Sequence, residues 1–326
     1  MSVLSPSAPA LRTLAPARTP AIILAVVAAI TTVSASLTDP SHGADSPLLL
    51  VLLAVRTTTT MAALGTIGSI VVLLCLPDGP ASPAAPAVMR SAAAWAGWWT
   101  LLLTGTFAAE ALDPATAVAH GGVGPDAGDL DTRLRWLVVG VVLAAATRIL
   151  ARSVRGVVDA WILLAVAASG LIPATVTGHA AGGGSFWLVV GVLLLHVLSV
   201  CVWLGALLGL VTHARGLWTT GVGTATVARF SRVALVCYVG VAASGVATVF
   251  VQSTWAELFE APAHLVLLAA KVGILVVLGF AGYVQRRAVL PHLARRGPLL
   301  LVLVAAGELV LMATAMGLAV TLTHTA

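Results

Sequence analysis

Residues 185–212 read SFWLVVGVLLLHVLSVCVWLGALLGLVT, a run with no Asp, Glu, Lys or Arg. An α-helix rises 1.5 Å per residue, and about 20 apolar residues cross the hydrocarbon core of a bilayer. This run is long enough to cross with tilt to spare. It decides the fold class because the rest of the chain resembles it. Of 326 residues, 60% are hydrophobic and 9% charged, with a mean hydropathy of +1.06. Soluble domains carry about 25% charged residues, so no water-facing surface can be built from this composition. The sequence predicts an all-α, polytopic transmembrane bundle. Nine spans are expected, at 21–38, 47–76, 88–109, 134–151, 157–177, 185–212, 227–251, 262–284 and 298–322.

Charges between the spans set the expected orientation. Basic connections alternate with connections that are acidic or uncharged. Arg12 and Arg18 precede the first span; Asp39 and Asp45 follow it. Arg90, then Arg148, Arg152 and Arg155, then Arg215, Arg229 and Arg232, then Arg286, Arg287, Arg295 and Arg296 fall on one side. The other side has Glu110, Asp113, Asp126, Asp129 and Asp131 beside Arg133 and Arg135, and later Glu257 and Glu260. Cytoplasmic connections are enriched in Arg and Lys. The N-terminus is therefore expected inside and the C-terminus outside. Arg12, Arg18, the first apolar run and VSASL would also suit a signal peptide; its removal would leave eight spans with the same topology. The expected organisation is a flexible cytoplasmic segment at 1–20, five spans within 21–176 and a four-span core at 177–326. The formal charge of +5 does not indicate nucleic acid, because the basic residues form no compact patch. Cys75, Cys201 and Cys237 form no CxxC, and no nucleotide-binding fingerprint occurs, so neither an ATP-driven pump nor an enzyme is expected.

The informative residues are those lipid should exclude. Arg56, Lys271 and Glu308 lie within spans, and Lys271 is the chain's single lysine. Charged groups there cost a few kcal/mol unless paired inside the bundle. All three are expected to face inward, with Lys271 and Glu308 at matching depth on consecutive helices. They would form either a structural ion pair or a cation-coupled site. Glu308, Met312 and Met316 recur at four-residue spacing and share one face; thioether sulfur suits Cu(I), although Met also fills packing gaps. His42, His120, His179, His264 and His324 fall on the expected outer side, whereas His196 lies well inside a span. Imidazole binds copper, zinc and haem iron, but also serves as hydrogen-bonding glue between membrane helices. Cys201 and Cys237 would meet on adjacent helices or simply pack.

Several segments together resemble the copper resistance protein D (CopD) family. TGHAAGGGSFW followed by HVLSVCVWLGALLGL is similar to the family's Gly-His helix end and its next helix, with a His and then Trp-Leu-Gly: Gly178, His179, His196, Trp203, Leu204 and Gly205. ARFSRVALVCYVGVAASGV resembles its RFS-x-x-A helix, here Arg229, Phe230, Ser231 and Ala234, with Ser244 and Gly245 further on. LLAAKVGILVVLGFAGYVQRRAVLP is similar to its lysine-bearing helix, here Lys271, with Arg286, Arg287 and Pro291 after it. The likeness is strongest over 177–292, and Arg56 followed by LGTIG adds a weaker one.

The resemblance implies copper movement across a bacterial cytoplasmic membrane, often with a separate periplasmic copper-binding partner of the CopC type. The expected function is copper uptake. His179, with His264 or His324, would gather copper at the outer mouth. His196, helped by Met312 and Met316, would form the first intramembrane site. Arg56, Lys271 and Glu308 would balance charge, and Trp203, Gly205 and Arg229 would shape helix contacts. Cu(I) would suit sulfur, Cu(II) imidazole and carboxylate. The alternatives are a cytochrome-b-type redox protein binding haem, which needs two histidines at equal depth on different helices, and an accessory factor delivering copper to an oxidase.

Overall fold

The computed structural model describes residues 47–113, 127–176, 186–252 and 262–289, together with 297–298, 301–303, 305–309 and 312 of the last segment. Among the described residues every regular element is helical: α1 Pro47–Cys75, α2 Ala85–Leu112, α3 Ala127–Leu150, α4 Val157–Ser169, α5 Ile172–Val176, α6 Phe186–Thr219, α7 Gly223–Gln252 and α8 Pro262–Val284. A π-helical turn, Gln285–Val289, continues α8. Residues 301–303, 305–309 and 312 are also helical. Four stretches, Ala54–Cys75, Val157–Val176, Phe186–Thr219 and Gly223–Phe250, are long and apolar enough to cross a membrane. The expected span at 21–38 lies outside the described residues.

Local chemistry sets the helix ends. Pro47 and Pro262 open α1 and α8, where a missing N–H costs nothing. Pro77 follows the end of α1 and disfavours its continuation. The Asp159 carboxylate caps α4, accepting the backbone N–H groups of Arg155 at 2.9 Å and Gly156 at 3.0 Å. Between α6 and α7, Gly221 takes φ 74°, the left-handed conformation that glycine tolerates best.

α1 lies at the centre, packed on α2, α4, α6 and α7; α3 covers α2, and α7 lies along α6. Association inside a bilayer gains little from the hydrophobic effect, so close packing must supply it. The α1–α6 crossing shows how. A Cβ on Gly68 would overlap the backbone of Gly205, and one on Gly205 would overlap the Leu64 carbonyl. One turn on, a Cβ at Gly209 would meet Val72 Cγ2 at 2.9 Å. Conversely, large apolar side chains such as Val158, Trp187, Val236 and Phe250 are exposed on the bundle's exterior. Such a surface fits lipid. Threonine hydroxyls within the helices are satisfied locally, as where Thr66 donates to the Ala62 carbonyl at 2.7 Å.

One departure from expectation concerns the charges. The stretch 110–133 is not a plain connection: α2 runs to Leu112 and α3 starts at Ala127. Fully buried Glu110 accepts two hydrogen bonds from Arg133, at 2.8 and 2.9 Å. A mutually neutralising pair lets both helices carry charge past the point where hydropathy falls. Arg56 keeps surface exposure on α1, within electrostatic reach of Arg133.

Candidate functional site

The α6–α7 seam carries the polar residues in consecutive rungs. At one level, His196 Nδ1 lies 2.9 Å from Ser244 Oγ. The Ser244 hydroxyl donates to the Gly240 carbonyl at 2.6 Å, which leaves its oxygen able to accept from an Nδ1–H. The tautomer that donates Nδ1–H to Ser244 keeps its lone pair on Nε2, the form in which histidine binds metals. At the next level, buried Ser199 lies where a Cβ on Gly240 would come within 2.5 Å of its Oγ. Below it, the Trp203 and Tyr238 rings meet edge to face, centroids 6.0 Å apart. Seven residues separate His196 from Trp203 and six separate Ser244 from Tyr238, so the antiparallel helices keep register along about 10 Å.

The seam leads to a cavity of about 220 Å³ between α6, α7, the end of α8 and the last segment. Trp203, Phe230, Tyr238, Tyr283, Arg286 and Glu308 are among its lining residues. Glu308 is only 8% exposed, and the Gln285 side chain hydrogen-bonds its carboxyl. Met312, one turn further along the same face, is buried to the same degree.

Arginines fasten one end of this assembly. Arg229 donates to the Leu76 carbonyl at 2.7 Å and the Pro77 carbonyl at 3.0 Å, just past the end of α1. Carbonyls there lack intrahelical partners, and the helix dipole favours a cation. Arg286 donates to the Ser231 carbonyl. The Arg-Phe-Ser stretch thus grips α1 with its first residue and is gripped from the α8 end at its third. Gly79, whose Cβ would meet Val157 Cγ2 at 3.4 Å, brings the start of α4 to the same end.

The expected site residues divide accordingly. His196, Trp203, Gly205, Arg229, Glu308 and Met312 are described and wholly or partly buried, all but Arg229 in the helix seams around α6, α7 and the last segment; Arg229 bridges helix ends. His179, Met316 and His324 lie outside the described residues. His264 and Lys271 sit on α8, but their side chains, and with them the expected Lys271–Glu308 pair, lie outside the described set. Cys201 and Cys237 are buried free thiols in the common core. Among the described residues no three of His, Cys, Asp and Glu converge into a metal-holding group. Sequence reasoning missed the partnering role of Ser244 and the participation of Tyr238, Gln285 and Arg286. Only Ser244 had a signal, the Ser-Gly pair on the helix after His196.

A bundle of apolar helices with an imidazole clasped in an interior seam defines an integral membrane protein. Residues 224–322 fit the family model CopD, Copper resistance protein D, so this stretch of the chain is similar to a copper-resistance family. No curated protein and no solved structure matches the chain. The match reaches further than the residue likeness on one side and less far on the other. It takes in Glu308, Met312 and Met316, and it begins after His179, His196 and Gly205.

Proposed function

We propose that the protein is a copper-uptake permease of the bacterial cytoplasmic membrane, a carrier rather than an enzyme. Its Arg-bearing end faces the cytoplasm, and the full bundle has nine spans with the C-terminus outside. Copper is the cargo. His179, with His264 or His324, gathers it at the outer mouth, where a separate CopC-like protein delivers it. His196 receives it within the membrane, and Met312 and Met316 offer thioethers to Cu(I). Lys271 and Glu308 balance charge as the ion passes, and Arg56 lies at the outer surface.

The observation that carries this reading is the His196–Ser244 hydrogen bond. The partner serine belongs to the family-matched stretch, so the imidazole outside that stretch is oriented by a residue inside it. A hydrogen bond to the second ring nitrogen is the usual way proteins aim a metal-binding histidine. The test is copper accumulation in cells producing wild-type protein, His196→Ala or His179→Ala at matched membrane levels. Both variants are expected to accumulate less copper than wild type. Accumulation unchanged in both would sink the path.

A further inference from the structure

The cavity at the end of the α6–α7 seam opens sideways. Two of its lining residues, Leu235 on α7 and Tyr283 on α8, are 50% and 54% exposed. The opening therefore lies on the flank of the bundle between these helices, where Val239 and Phe280 are exposed too and lipid is expected. Inside, the walls are mainly apolar, supplied by Trp203, Leu207, Phe230, Leu278, Leu301 and Ala305. An apolar space of about 220 Å³ that opens onto a bilayer holds hydrocarbon more readily than water.

The rim is basic. Arg286 lines the cavity, and Arg287 lies over the Tyr283 ring, 5.3 Å from its centroid. Both belong to the π-helical turn Gln285–Val289, a geometry that often marks functional sites. Arg286 donates to the Ser231 carbonyl of α7. That bond fixes the guanidinium and leaves its charge and its remaining N–H donors in place. Among the described residues no ion pair joins either arginine to a carboxylate. The acid in the lining, Glu308, is nine-tenths buried and is hydrogen-bonded by Gln285. Arg286 is half-buried and Arg287 exposed. Two guanidiniums against one withdrawn carboxyl leave the mouth net positive. Guanidinium groups take phosphate through forked, charge-assisted hydrogen bonds. Basic pockets between membrane helices hold anionic lipid headgroups in this way.

We propose that this cavity is a binding site for an anionic phospholipid, with one acyl chain in the apolar space and the phosphate on Arg286 and Arg287 at the mouth. The lateral opening selects a lipid over a water-soluble phosphate, because the entrance faces hydrocarbon. The bound lipid braces the joint where α6, α7, the end of α8 and the last segment meet. The site goes beyond copper uptake and does not depend on it.

The test uses purified, delipidated full-length protein in detergent, titrated with phosphatidylglycerol or with phosphatidylcholine of the same chains, and bound lipid is counted by native mass spectrometry. Wild-type protein is expected to hold phosphatidylglycerol about tenfold or more tighter than phosphatidylcholine. Replacing both rim arginines, Arg286→Gln with Arg287→Gln, should remove that preference. Arg152→Gln with Arg155→Gln takes the same charge from the same end of the bundle, away from the cavity, and should keep it. Ala234→Phe fills the space without changing charge and should weaken both lipids. Circular dichroism and size-exclusion profiles matching wild type establish that the variants are folded. Arg287→Gln alone keeps the Ser231 clamp and should lower phosphatidylglycerol affinity several-fold, so it still decides should the double variant or Ala234→Phe misfold. Equal binding of the two lipids by wild type, or equal losses from the two arginine pairs, overturns the proposal. So does glycerol 3-phosphate that displaces the lipid at matching concentration, which would make the rim a soluble-phosphate site. Copper accumulation fails separately: His196-dependent uptake with no lipid preference removes this site alone, and lipid held at Arg286 and Arg287 with uptake indifferent to His196 removes the transport path alone.

Discussion

At the scale of single residues, the molecule commits its few polar side chains to defined partners. Ser244 Oγ lies 2.9 Å from His196 Nδ1 and donates to the Gly240 carbonyl. Ser244→Ala should therefore leave the bundle intact and loosen the imidazole, lowering copper affinity by about 10–100-fold, while Ser244→Thr retains most of it. Metal titration of the purified proteins measures this; an alanine variant with wild-type affinity would show that the hydrogen bond does not aim the ligand. The buried Glu110–Arg133 pair makes a stability prediction. Glu110→Ala strands a guanidinium and should cost about 3–5 kcal/mol, part of which Arg133→Leu recovers in the double variant. Thermal unfolding in detergent checks both. The residue scale was also the least legible in the sequence. His196 stood out because an imidazole in an oily run is rare, but its partner lies 48 residues away, and nothing in local spacing selects Ser244 over another serine.

At the scale of helices, hydropathy read most of the elements. The run expected at 262–284 is α8 with the same limits, because Pro262 opens it and the apolar composition ends near Val284. Where hydropathy failed, helix and hydrocarbon run ended at different places. α6 continues past 212 to Thr219 through His213 and Arg215, which are polar but compatible with a helix. α2 continues past 109 to Leu112 because Arg133 neutralises Glu110. The contact that fixes α1 against α6 was not legible at all, since chain position does not tell which glycine faces another helix. Gly68→Leu should force the crossing apart and cost about 1–3 kcal/mol or more, whereas Gly105→Ala, with nothing within 4 Å of its new Cβ, should be silent. Fluorescence-detected size exclusion of tagged variants separates the two: a monodisperse Gly68→Leu protein with wild-type stability would contradict the crossing.

At the scale of the whole molecule, the arginine-bearing turns near Leu76, Val157, Arg229 and Arg286 gather at one end of the bundle, the arrangement that alternation of basic connections predicts. Single cysteines placed in an otherwise cysteine-free protein test the orientation. A cysteine at Ala81 should be labelled by a membrane-impermeant thiol reagent only after the cytoplasmic face is opened, and one at Asp129 should be labelled in intact cells; the reverse pattern would invert the proposed path. The central claim is that copper crosses through the seam at His196. It is tested most directly by radiocopper uptake into proteoliposomes holding the purified full-length protein, with His196→Ala reconstituted in parallel. Time-dependent, saturable copper entry is expected in wild-type vesicles, falling at least tenfold in the variant. Equal initial rates in the two preparations, or no entry above protein-free vesicles in either, would contradict it.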